Sequence, residues 1–213
     1  MRRPEHTDWA ILATLTSIFA GSLVLSAVLA AKIVTIFGLI VPAGVFGYCL
    51  TFICTDVISE VWGRDTAKAA VRGGFVALLA ALGLIQLALH WPSAAFWHGQ
   101  EAFRSVLSMT PRIIIGSIAA YLISQYHDVW AFHFLRRLTR GRHLWLRNNL
   151  STALSQLLDS FVFISIGFAG IMPLAPLIFG QWAVKLLIAL LDTLVVYILV
   201  WLIRDRANRG ASA

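Results

Sequence analysis

Residues 48–65 read YCLTFICTDVISEVWGRD, an apolar run that closes on two carboxylates, Asp56 and Glu60, just before Gly63 and Arg64. Carboxylates in that position either mark where the chain leaves an oily layer or face something that needs them. The rest of the chain favours an oily layer. Its 213 residues are 59% hydrophobic and only 13% charged, with a mean hydropathy of +0.81, which is not a soluble composition. About 20 apolar residues cross a bilayer as a helix, and six runs reach about that length: 11–31, 39–59, 67–89, 106–124, 150–171 and 178–203.

The sequence therefore predicts an all-α polytopic membrane protein, a single domain over 1–213 with six transmembrane helices and short connections. The first run is too long for a signal-peptide core and has no persuasive cleavage site before the next span, so it reads as helix one. Cys49 and Cys54 lie five apart within one run. A disulfide within one helix is geometrically awkward, and both read as small hydrophobes.

Six spans put both ends of the chain on one side. That side receives Arg2, Arg3, Arg64, Lys68, Arg72, Arg136, Arg137, Arg140, Arg142, Arg147, Arg204, Arg206 and Arg209, out of 17 Lys and Arg in all. The positive-inside rule then places both termini in the cytoplasm, with the protein in the cytoplasmic (inner) membrane. The same rule accounts for the net charge of +7, since every basic cluster is a connection between spans facing anionic headgroups. No nucleic-acid partner is implied; membrane lipids are. Trp91, Trp97, Trp130, Trp145, Trp182 and Trp201 fall near run ends, where interfacial anchors belong; Trp182, three residues before Lys185, has the best claim to another role.

Several polar groups are not required by membrane placement. An ionised side chain near the bilayer centre costs about 2.5–3.5 kcal/mol even on insertion scales, so it faces the bundle interior and a partner. Asp56 and Glu60 share one face of the second span, with Thr55 and Ser59 on a neighbouring face; the alternative is that they cap its cytoplasmic end. Arg112, after Pro111, either snorkels to the headgroups or holds an anionic group. Gln125 and Asp128 lie at the inner end of the same span. In the fifth span Asn148, Ser151, Ser155 and Asp159, with Gln156 alongside, form a polar stripe opposite Leu150, Leu154, Leu157, Leu158 and Phe161. This stripe is the strongest sign of an internal cavity. Gln181, Lys185 and Asp192 share a face of the sixth span, where Lys185 can pair with Asp192 or with the second or fifth span.

These faces fit a substrate path better than catalysis. The chain contains no HExxH, GxSxG, GxxxxGK or CxxC, and its histidines lack membrane-embedded ligand spacing. No cofactor is implied, and ATP-driven transport would need another subunit. The small residues of AGVFG (43–47) and GSIAA (116–120) suit close helix packing and leave room for a homodimer. Three spans followed by three more can form two inverted halves, because an odd number of helices flips the second.

The polar residues also carry a resemblance. The stretches 29–75, 110–137 and 141–170, with TDVISEVWG (55–63), SQYHDV (124–129), LWLRNN (144–149) and SQLLDS (155–160), resemble the VUT family of integral membrane proteins, the queuosine precursor transporters. The likeness runs over roughly 22–200. It implies import of the 7-deazaguanine bases 7-cyano-7-deazaguanine and 7-aminomethyl-7-deazaguanine, with Asp56, Glu60, Arg112, Gln125, Asp128, Asn148, Gln156, Asp159, Lys185 and Asp192 at the family's recurrent polar positions. For such a base, Asp159 or Glu60 would grip the ring N–H and exocyclic amine, and Gln156 or Lys185 would read the carbonyl. Phe52, Tyr121, Phe161 or Trp182 would supply a slot for the ring. Competing readings are a substrate-binding membrane subunit of an ATP-driven vitamin or nucleobase system, a membrane enzyme using Asp56 and Glu60 as an acid–base pair, and a structural subunit.

Overall fold

The structure, a computed structural model, describes residues 6–139 and 144–210. Within them six long helices cross the molecule: α1 (His6–Leu29), α2 (Val45–Trp62), α3 (Arg64–His90), α5 (Thr110–Leu138), α6 (Leu144–Phe168) and α7 (Leu174–Gly210). Between α1 and α2 stands a hairpin of β1 (Ile33–Ile36) and β2 (Leu39–Pro42), and a short helix α4 (Gln100–Leu107) precedes α5. Among the described residues five stretches are long and apolar enough to cross a membrane: Trp9–Leu29, Val45–Trp62, Arg64–His90, Gln100–Ser124 and Leu174–Ile203. The described apolar part of α6 is Thr152–Phe168. The chain is a multi-pass, essentially all-α membrane protein.

The hairpin corrects the expected span 39–59. Ile33, Val34, Ile36, Ile40 and Val41 are β-branched, Pro42 donates no hydrogen bond, and α2 starts only at Val45. The strands pair antiparallel with Ile36 opposite Leu39. Phe37 and Gly38 between them have φ of 50° and 81°, the two left-handed residues of a tight hairpin turn. At the base, the Ala43 N–H donates to the Lys32 carbonyl at 2.7 Å.

Three other boundaries also move, for one reason. α5 runs on past Ser124 to Leu138, α6 starts before Leu150, and α7 extends beyond Ile203. Hydropathy reports where hydrocarbon ends, whereas a helix continues until a breaker stops it. Such breakers stand at two other helix ends, Gly63 between α2 and α3, at φ 89°, and Gly170 after α6, at φ 78°. The span expected over 106–124 is also split, because Ser108 and Met109 separate α4 from α5.

α1 packs against α2 and α3, α5 against α6, and α7 against α6, α2 and β2. A core of Ala27, Leu78, Ile113, Ile164, Phe168 and Leu177 joins α1, α3, α5, α6 and α7. A second cluster of Val41, Val45 and Val184 ties the hairpin to α2 and α7. Two close approaches hold these contacts. A Cβ on Gly47 would sit 2.1 Å from Ser26 Oγ, and one on Gly180 would sit 2.2 Å from the Ile40 carbonyl oxygen. Large apolar side chains face outward instead, among them Leu84 on α3 and Leu190, Leu194 and Trp201 on α7, as lipid contact requires.

Candidate functional site: a cavity at mid-depth

The helices leave a cavity of about 290 Å³ among α1, α2, α3, α5, α6 and α7, at the lower end of the size range of small-molecule pockets. Its aromatic wall is Phe19, Tyr48, Phe52, Phe75 and Tyr121. Phe75 and Tyr121 meet edge to face, with ring centroids 4.7 Å apart. Hydroxyls come from Thr51 and Thr55 on α2 and from Ser117 and Ser124 on α5. Two charged side chains complete the lining, Asp159 and Lys185.

Lys185 Nζ donates to Asp159 Oδ2 in a salt bridge whose side chains are 4% and 17% exposed. Ser124 Oγ, whose proton has the Tyr121 carbonyl at 3.1 Å, lies 3.4 Å from the other carboxylate oxygen, Oδ1. The Lys185 ammonium also lies 5.2 Å from the centre of the Tyr48 ring, within cation–π range. Asp159 stands nine residues before the end of α6 and Lys185 eleven after the start of α7. At 1.5 Å per residue that is about 14–17 Å of helix, roughly half a hydrocarbon layer of about 30 Å.

Of the residues singled out from sequence, Gln156, Asp159 and Lys185 meet in this cavity. Asp56 and Glu60 do not line it; both are exposed on α2, where the cavity takes Tyr48, Thr51, Phe52 and Thr55 instead. Asp56 follows Thr55 by one residue, and one residue turns a helix about 100°. Arg112 is elsewhere too: its Nε donates to the Ile166 carbonyl and its Nη2 to the Ala169 carbonyl at 2.7 Å. It closes the C-terminal end of α6, where helix carbonyls lack partners and a cation is favoured. The side chains of Gln125, Asp128, Asn148 and Asp192 lie outside the described residues, as do Arg2, Arg3, Arg140 and Arg142 and the side chains of Arg136, Arg147, Arg204, Arg206 and Arg209.

The aromatic slot differs in part from the expected one. Phe52 and Tyr121 line it, but Phe161 is exposed, and Trp182 spends its indole N–H on the Ala153 carbonyl at 3.0 Å, tying α7 to α6. Tyr48, Ser117 and Ser124 were missed, though a signal existed. Ser117, Tyr121 and Ser124 recur at i, i+4 and i+7, as do Tyr48, Phe52 and Thr55, which is one helical face each. Among the described residues no group of three or more His, Cys, Asp or Glu forms a metal site.

A multi-pass bundle that buries an ion pair in an aromatic-walled cavity about halfway along its helices has the build of a membrane transporter. The chain belongs to the family described as "Putative vitamin uptake transporter", whose profile matches residues 42–199. It is 38% identical over 143 residues to a Bacillus subtilis protein named "Probable queuosine precursor transporter", an alignment covering 67% of this chain and 62% of that one. A Haemophilus influenzae protein of the same name is 29% identical over 125 residues, 59% of this chain and 51% of that one. The chain thus spans between half and two thirds of the length of these curated relatives. No solved structure matches it.

Proposed function

We propose that the protein imports queuosine-precursor 7-deazaguanine bases across the cytoplasmic membrane, as a transporter rather than an enzyme. The observation that carries this reading is the Asp159–Lys185 pair inside an aromatic cavity. A deazaguanine needs flat apolar walls for its ring and hydrogen-bonding groups along one edge, and the cavity lining offers both. Membership of the family and the names of the two relatives point the same way.

In this reading α1, α2, α3, α5, α6 and α7 are six spans with both termini in the cytoplasm. Support comes from Arg64 and Lys68 at the α2–α3 junction and from the arginines of 136–147, which all fall at the same end of the bundle when the spans alternate. The two groups α1–α3 and α5–α7 are read as halves of inverted topology, and superposing one on the other after a two-fold rotation tests that. The transport reading is tested by uptake of labelled 7-cyano-7-deazaguanine and 7-aminomethyl-7-deazaguanine in cells that neither make nor import them. Native protein should accumulate at least one base, and Asp159→Asn at matched membrane expression should not. Failure of well-expressed native protein to accumulate either base would overturn the assignment.

A further inference from the structure

Two hydrogen-bonding side chains of α6 line the cavity, and they are not equally engaged. Asp159 is held by Lys185 at Oδ2, with Ser124 Oγ 3.4 Å from Oδ1. Gln156 lines the same cavity, yet its side-chain carbonyl oxygen is buried and has no hydrogen-bond partner among the described residues. A buried acceptor without a donor is an energetic cost that folding alone does not explain. Rotation about its side-chain bonds re-aims a glutamine amide, so a ligand entering the cavity can draw both the carbonyl oxygen and the amino group toward it.

We infer that Gln156 is the specificity-determining residue, its amide pairing with the lactam edge of a planar base. The carbonyl oxygen accepts from the ring N–H and the amino group donates to the ring carbonyl. Three residues further along the same face, about 5–6 Å between Cβ atoms, Asp159 is placed to accept from the exocyclic amine next to that N–H. The three polar groups of a guanine-type edge stand in one line in the same order, carbonyl, ring N–H, amine. Lys185 then neutralises Asp159 and does not read the carbonyl.

This inference rests on the deazaguanine reading and deepens it, because it states which edge is read and by what. A site built to hydrogen-bond a ligand group rejects an analogue lacking that group far more strongly than an apolar site does. The critical comparison is 7-cyano-7-deazaguanine against its 2,6-diamino counterpart, which carries an amino group in place of the ring carbonyl and an unprotonated ring nitrogen in place of the N–H.

Binding of both compounds is measured on the full chain in lipid nanodiscs, native and with Gln156→Met or Gln156→Glu. The native chain should prefer the oxo base by about a hundredfold or more. Gln156→Met removes both amide groups at similar size, and the preference should fall to about tenfold or less. Gln156→Glu keeps the shape and polarity but offers no donor to the ring carbonyl, so it should erode the preference in the same direction. This second variant decides the matter if the first does not fold. A native-like preference in the folded variants would overturn the inference while leaving the transport reading intact, as would a native chain that binds both compounds equally. A native chain that binds neither would overturn the transport reading and this inference together.

Discussion

Lys185 of α7 closes on Asp159 of α6 across 26 residues of sequence, and both lie within the bundle. Two charges at this depth in the bundle hold each other there, because neither is stable alone. Removing one partner of a buried pair costs about 3–5 kcal/mol, whereas replacing both by neutral groups of similar size is often neutral or stabilising. Asp159→Asn and Lys185→Met should each lower thermal stability in detergent, and the double variant should recover most of the loss. Uptake should stay lost in all three. A double variant as unstable as the singles would show that the pair is not an isolated unit.

Arg112 was a candidate for holding an anionic group, and its bonds to the Ile166 and Ala169 carbonyls give it a different task. Hydrogen bonds from a charged donor are worth about 1.5–3 kcal/mol each. Arg112→Met should therefore destabilise the α5–α6 pair while leaving the affinity for substrate unchanged in whatever fraction remains folded. Denaturation curves and a binding isotherm on the same preparation separate the two effects. Weakened binding with native stability would return Arg112 to the site.

Asp56 and Glu60 offer the opposite contrast to Asp159. Both are exposed on α2 and outside the cavity, so Asp56→Asn and Glu60→Gln should change uptake by no more than about twofold, matching the ±0.5 kcal/mol usual for exposed positions. Asp159→Asn in the same assay is the reference for a complete loss. Loss of uptake with Asp56→Asn at native expression would mean that the path includes the exposed face of α2.

Tyr48 gives a test of the cation–π contact. Tyr48→Phe keeps an aromatic face 5.2 Å from the Lys185 ammonium, and Tyr48→Leu removes it. A partly desolvated contact of this kind is worth about 0.5–2 kcal/mol. The Leu variant should lose several-fold more apparent affinity than the Phe variant, read from the substrate concentration giving half-maximal uptake. Equal losses would assign the role to the hydroxyl or to packing.

How much of this was legible beforehand follows the kind of signal each feature leaves. That most of the chain is long apolar helix was readable because a bilayer demands uninterrupted apolar length. The stripe that led to Gln156 and Asp159 was readable because Leu150, Leu154, Leu157 and Phe161 occupy the other, exposed side of α6. The hairpin was not, since IVTIFGLIVP is as apolar as the helices beside it and periodicity does not separate a short strand from helix. Asp56 drew attention by its charge, although Thr55 beside it faces the cavity. The partner of Lys185 was likewise open, because pairing between helices depends on their rotation and depth, which one sequence does not encode locally.

The hairpin also bears on what can move. A helix end or a loop that swings through hydrocarbon strips its peptide groups of partners, and each stripped group costs several kcal/mol. β1 and β2 pair across their register from Ile33–Pro42 to Ile36–Leu39, which satisfies the inward-facing peptide groups and leaves the outer edges of a two-stranded ribbon open. Contact with α7 is made through side chains and the bare backbone of Gly180. Pulled into hydrocarbon, the ribbon would take those open edges with it, so the hairpin belongs against α7 at the end of the bundle that water reaches.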